Sequence, residues 1–271
     1  MIAKFARAAT SYDGVAVLAR EVVARMAARF DYLKVAPRRM ADIGCATGDG
    51  VRELQARYPK AQAIAIDIAL PMLHRVHLRT PPLLRLTRRG PQPVNADACA
   101  LPLSDNTLDL IWSSLMLQWL DDPLPALREL HRSLRAGGVL MFATLGPDTV
   151  KELRVAAAKV GAGDTARKFI DMHDWGDMLV AAGFSDPVMD MEMIRFSYSS
   201  PRRFLADQRQ LGVRDGLLGQ QAFRDWRRLF AAWEHDGEGL PLSFEIIYGQ
   251  AWKTEPRQVA DGRAIVKFHR R

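Results

Sequence analysis

The stretch from Ala41 to Asp67, ADIGCATGDGVRELQARYPKAQAIAID, decides the fold. With Met40 before it, Ala41-Asp42-Ile43 reads as a short buried strand. Gly44-Cys45-Ala46-Thr47-Gly48 is a turn, and Asp49 to Tyr58 continues as a helix. Ala61 to Ile66 is a second apolar strand, ending on Asp67. Strand, glycine turn, helix and acid-tipped strand make one βαβ unit of the type that seats nucleotide-like cofactors. Gly44 and Gly48 let the backbone turn sharply and approach a ligand, while a carboxylate at the second strand's tip suits a ribose diol. A dinucleotide would need G-x-G-x-x-G under its pyrophosphate. Counting from Gly44 gives Ala46 and then Asp49, and an aspartate there repels phosphate.

Outward from this unit, the alternation of strand and helix continues. Ala16 to Phe30 has apolar residues at helical spacing. Pro71 opens a helix, PMLHRVHL. Thr80 to Pro93 is rich in Pro and Arg, and the state of Leu83-Leu84 stays open. Val94 to Ala96 reads as a brief strand and Leu108 to Trp112 as a clear one. Leu124, Leu127, Leu130 and Leu134 share a helix face, closed by Arg135-Ala136-Gly137-Gly138 with a glycine for the left-handed cap. Val139 to Leu145 is a buried strand. Beyond Gly146, helices are expected at Thr149–Val160, His173–Ala182, Pro201–Leu211 and Ala222–Glu234, with strands at Val188–Phe196 and Phe244–Trp252. The expectation is an α/β fold, a Rossmann-like, seven-stranded, doubly wound sheet. One domain over residues 1–271 would hold a cofactor-binding core at about 37–146. Residues of about 147–271 would supply a helical cap over the active site and the returning strands.

Across its 271 residues the chain is 48% hydrophobic and 25% charged, with a net charge of +7. That is the balance of a soluble globule, with no apolar run long enough for a membrane span. The N-terminus lacks a secretory core, so a cytoplasmic location is expected. Cys45 and Cys99 have no paired spacing, which argues against disulfides and cysteine zinc sites. His74 and His77 sit on an ordinary helix without a third ligand, so no metal is expected. The positive charge favours an acidic partner, and scattered arginine pairs (Arg88-Arg89, Arg202-Arg203, Arg227-Arg228, Arg270-Arg271) supply it. No aromatic-basic stripe points to nucleic acid. Oligomeric state is not legible.

Five motifs in order resemble the class I S-adenosylmethionine-dependent methyltransferases. They are Asp42 with the Gly44–Gly48 loop, Asp67, Asn95-Ala96-Asp97-Ala98, the Leu108–Ser114 strand, and Leu134 to Gly138. The resemblance implies S-adenosyl-L-methionine as cofactor. It would be held by Asp42, Gly44, Ala46, Gly48, Asp67, Asp97, Ala98 and Ser113, with Asp67 on the ribose and Asp97 on the adenine amino group. Ala46 stands where that family has its middle glycine.

Further stretches resemble a narrower family, the malonyl-acyl-carrier-protein O-methyltransferases of biotin synthesis. They are Phe5 to Asp13, Leu115 to Trp119, Phe142 to Thr149 and Phe244 to Trp252. This implies methyl transfer to the free carboxylate of a malonyl group on an acidic acyl-carrier protein. A carboxylate of pKa about 4 is already ionised, so the reaction needs alignment rather than a base. A guanidinium should fix it; Arg7, Arg154 and Arg195 are the candidates, with Tyr12 closing over the cofactor. Gln118-Trp119 reads more readily as core than as acceptor pocket. Two other readings stand beside this one. One is a protein-arginine hydroxylase, or a methyltransferase with another acceptor, related to mitochondrial complex I assembly factors. The other is a non-catalytic cofactor-binding module.

Overall fold

Strand β1 (Arg39–Ile43) is buried along all but its first residue, and its apolar run MADI suits a strand covered on both faces. It pairs in parallel with β2 (Gln62–Asp67) on one side, Met40 opposite Ala63, and with β4 (Leu108–Ser114) on the other, Met40 opposite Leu110. The computed structural model describes residues 2–87, 89–162, 166–219 and 223–255. Adding β3 (Gln92–Asn95), β5 (Leu134–Leu145), β6 (Ser185–Tyr198) and β7 (Leu240–Trp252) gives a seven-stranded sheet in the order β3-β2-β1-β4-β5-β7-β6. The pairs through β5 are parallel, whereas β7 runs antiparallel to both β5 and β6. Strand order reverses between β1 and β4, and ligands of such sheets sit beyond the strand ends at that point.

Two apolar cores fill the two faces. Met40, Leu110 and Trp112 pack with α3 (Val17–Arg29) and α4 (Asp49–Arg57) through Met26 and Leu54. Ala41, Ile43 and Ile111 pack with α7 (Leu124–Ser133) and α9 (Met172–Ala181) through Leu127 and Leu179. Alternation along a strand explains the split. It is broken once: Leu108 and Leu110 have the same parity but lie in opposite cores, because the β4–β5 register shifts between them.

Several boundaries differ from the sequence reading. Helix α7 ends at Ser133 without a glycine cap, and Leu134 to Gly138 already belongs to β5. Gly137 has its left-handed φ of 77°, but in the strand, where its amide donates to the Lys253 carbonyl at 2.7 Å. The undecided Leu83-Leu84 lies in a short helix, α6 (Pro82–Leu86). β3 starts at Gln92 and includes Pro93, admissible because β3 is the sheet edge. The helix expected from Thr149 begins at Lys151 as α8 (Lys151–Lys159), after Val150 at φ 56°. Helices α1 (Ile2–Ala8), α2 (Tyr12–Val15), α5 (Leu70–Arg79), α10 (Pro201–Gln210), α11 (Arg214–Leu218) and α12 (Phe223–Ala232) complete the elements used below. Ala222, Arg88 and the Arg270-Arg271 pair lie outside the described residues.

Candidate active site

A cavity of about 700 Å³ opens beyond the ends of β1 and β4. Its floor is the glycine loop. Gly44 and Gly48 have φ of 75° and 90°, and a Cβ on Gly44 would collide with the Met116 side chain. The Gly44 and Cys45 amides both donate to the Ile66 carbonyl, at 2.8 and 3.0 Å. Ala46, at φ 46°, donates its amide to Asp67 Oδ2 at 2.9 Å, and Ala69 donates to Asp67 Oδ1 at 2.8 Å. The loop is thereby stapled to the tip of β2. Each Asp67 oxygen retains acceptor capacity beyond its one backbone amide. Burial raises the Asp67 pKa, and the two amides oppose the shift.

Asp42 is 2% exposed. Burial pushes its pKa up to about 8, against the opposing Val51 amide. Asp97, whose Oδ1 accepts the Cys99 amide at 2.9 Å, lines the cavity together with Asp42, Gly44, Ala46, Asp67 and Ala98. Gly48 does not line it; it caps α4 in left-handed geometry and shapes the loop from behind. Ser113 is a correction: its hydroxyl is fully buried and donates to the Ile43 carbonyl at 2.9 Å, pinning β4 to β1. The next residue, Ser114, faces the cavity, and its Oγ is buried without a hydrogen-bond partner. Ala46 and Leu115 both line the cavity with positive φ, the strained backbone found around ligand sites.

The opposite wall is mainly apolar. Phe5 and Trp119 meet edge to face, their ring centroids 5.9 Å apart, and Phe196 and Phe244 meet similarly at 5.8 Å. All four line the cavity, with Leu217 of α11. Gln118 and Trp119 are therefore cavity residues rather than plain core. Gln118 is held by the Leu115 carbonyl at 2.8 Å. Tyr12 is also present, its hydroxyl pushed above its ordinary pKa by burial and then by Asp49, Asp67 and Asp13.

None of the three expected arginines lines this cavity. Arg7 is exposed and bonds its own helix at the Ala3 carbonyl. Arg154, on α8, donates to the Arg167 carbonyl at 2.7 Å. Arg195 is exposed on β6 between Ile194 and Phe196, so strand alternation turns it to the other face. The basic residue that does line the cavity, among the described residues, is Arg203 of α10. Its sequence neighbours, Arg202 and Phe204, gave no hint of that direction.

A second feature missed in the sequence joins the N-terminal segment to the floor. Thr47 Oγ1 donates to Asp13 Oδ1 at 2.6 Å, and Arg79 of α5 donates to the same oxygen at 2.9 Å. Arg79 also reaches Asp49 at 3.1 Å. His74 and His77 are exposed, and no cluster of three metal-ligating side chains occurs among the described residues. Nor does any described helix have the length and apolarity to cross a membrane.

The profile of the Methyltransferase domain family matches residues 41–142, the segment that builds the floor. The malonyl-acyl-carrier-protein O-methyltransferase of Laribacter hongkongensis is 46% identical over 98% of this chain and 94% of its own length. Its counterpart from Gallionella capsiferriformans is 46% identical over 97% of this chain and 93% of its own. The chain belongs to the malonyl-acyl-carrier-protein O-methyltransferase family. The fold is shared more widely: a candidate methyltransferase from Bacillus halodurans, at 15% identity, superposes with a TM-score of 0.61 over 86% of this chain and 99% of that one. Within the malonyl-acyl-carrier-protein O-methyltransferase family, then, this chain pairs an acidic floor with an aromatic wall that carries, among the described residues, one arginine.

Proposed function

We propose that this chain transfers a methyl group from S-adenosylmethionine to the free carboxylate of a malonyl group carried by an acidic acyl-carrier protein, the esterification used in biotin synthesis. The observation that carries the reading is the division of one cavity into an acidic floor and an apolar wall. It is supported by relatives of that name matching over nearly the whole chain.

The floor fits the cofactor. Asp67 has acceptor capacity for two ribose hydroxyls, and Asp97 with Ala98 stands where an adenine edge would be read. Ser114 Oγ supplies a buried polar atom in need of a partner. The floor carboxylates Asp49, Asp67 and Asp97 suit a cation and disfavour phosphates. When bound, the cofactor supplies an electrophilic methyl on a positively charged sulfur. The chain's own part is placement. A malonate carboxylate, of pKa about 4, arrives ionised, so no residue has to remove a proton. Attack requires the carboxylate oxygen in line and about 3 Å from the methyl carbon. Phe5, Trp119, Phe196 and Phe244 exclude water, which strengthens the attraction between carboxylate and cofactor. The segment bearing α10 and α11 acts as the cap over this chamber.

Intact-mass analysis of malonyl-acyl-carrier protein incubated with the enzyme and cofactor tests the reading. Gain of one methyl group, removable by mild ester hydrolysis, is the expected result. An unmodified carrier, with cofactor binding demonstrated, would refute it.

A further inference from the structure

Resting on that reading, we infer that Arg203 is the residue that holds the acceptor's free carboxylate. Charges around the cavity are unevenly divided. Asp49, Asp67, Asp97 and Asp207 line it, beside a buried Asp42 that burial holds toward its neutral form, and Arg203 is the basic side chain among the described lining residues. An anionic acceptor is repelled by the floor, so its stable position lies at the wall where the guanidinium stands.

The local structure presents that guanidinium. Ser200 caps α10, its Oγ accepting the Arg203 amide at 3.3 Å, and Pro201 opens the first turn. One turn later Asp207 approaches Arg203 Nε at 3.3 Å. Asp207 Oδ1 is buried and makes no hydrogen bond, so the pair is an ion contact rather than a closed fork. The Arg203 side chain remains 63% exposed, so its outer edge is not neutralised by the protein. Asp207 thus touches the Nε side while the two terminal nitrogens stay available to a carboxylate in bidentate geometry. Tyr198 and the buried Gln208 pack beside Asp207 and line the same wall. Burial and the Asp207 charge push the Tyr198 pKa up to about 12, which keeps it a neutral donor near an anion.

The same guanidinium chemistry would fit the phosphate of a pantetheine arm, or acidic residues on the carrier surface. The test separates these sources. Malonyl-N-acetylcysteamine carries the carboxylate and thioester but no phosphate and no protein. With this substrate, Arg203→Gln should raise KM at least about tenfold, and Arg203→Lys should recover only part of the loss, having a charge but no fork. Arg202→Gln should leave this substrate unaffected. Cofactor affinity of every variant, measured by calorimetry, should match the parent and so establishes folding. Parent-like kinetics of Arg203→Gln on the small thioester would overturn the inference, whatever its effect on carrier-bound substrate; loss on the carrier alone would assign Arg203 to phosphate or carrier contact. Failure of the parent enzyme on both malonyl substrates would instead refute the proposed reaction, and the inference with it.

Discussion

Asp13 Oδ1 lies 2.6 Å from Thr47 Oγ1, so a residue of the N-terminal segment is bonded to the glycine loop on the cavity floor. Arg79 shares that carboxylate oxygen and also reaches Asp49 at the start of α4. Three distant stretches of chain meet at one acid. Asp13 does not itself line the cavity, so Asp13→Ala breaks the connection to Thr47 without removing a lining side chain. Cofactor affinity should fall about tenfold, mostly through faster release, since the effects of such changes are usually carried by the off-rate. Stopped-flow displacement measures it; an unchanged release rate would show that the segment does not retain the ligand.

Asp67 holds the loop through the Ala46 and Ala69 amides and, in the proposed reading, also receives the ribose. Asp67→Ala should therefore lose about 2–3 kcal/mol or more of cofactor binding and also lower the thermal midpoint of the cofactor-free protein. Calorimetry and thermal unfolding check the two parts separately. Full affinity in a folded variant would remove the ribose assignment.

Ala46 adopts φ 46°, a conformation that costs an alanine about 1 kcal/mol relative to glycine. Its methyl group also lies at the cavity surface. Ala46→Gly should hold or improve cofactor affinity with little net change in stability, because the relieved strain is offset by a more flexible unfolded chain. Ala46→Val should weaken both, a β-branched residue being poorly tolerated at positive φ. A marked loss of affinity in the glycine variant would contradict this account of the loop.

Asp42 predicts a pH dependence. Its folded pKa is about 8, against an unconstrained value of 3.8. Between those values the folded chain holds a proton that the unfolded chain has released. Stability of the cofactor-free protein should therefore decrease as pH rises from about 4 to about 8, by up to about 1.4 kcal/mol per pH unit from this group, and level off above. Asp67, also raised by burial, acts in the same direction. Asp42→Asn should flatten the slope; urea midpoints at pH 5 and pH 8 provide the comparison, and an equal slope in both proteins would reject the assignment.

What the sequence disclosed and what it hid follow from the range of the forces involved. The β1–α4–β2 unit was legible because apolar runs, two glycines and a terminal acid are local signals, and they fix Asp67 without further help. Ser113 and Ser114 are adjacent and chemically identical. Which one faces the cavity depends on strand phase, and the shift between Leu108 and Leu110 makes that phase unreadable from the pattern. Arg203 stands far along the chain from the glycine loop, and only the packing of α10 against the end of β6 brings it to the cavity. Arg195, on β6 itself, is turned to the other face by one residue of alternation.

The position of β7 between β5 and β6 constrains how the protein is made. Among the described residues every ladder partner of β6 lies in β7, so β6 leaves the ribosome dozens of residues before that partner can pair with it. Over the same interval β5, buried along most of its length, presents an open edge. A nascent chain halted before Leu240 therefore holds the parallel strands of the floor together with two strands lacking their shared neighbour, a state prone to intermolecular pairing. Emergence of the last strand closes both edges of that gap in one event.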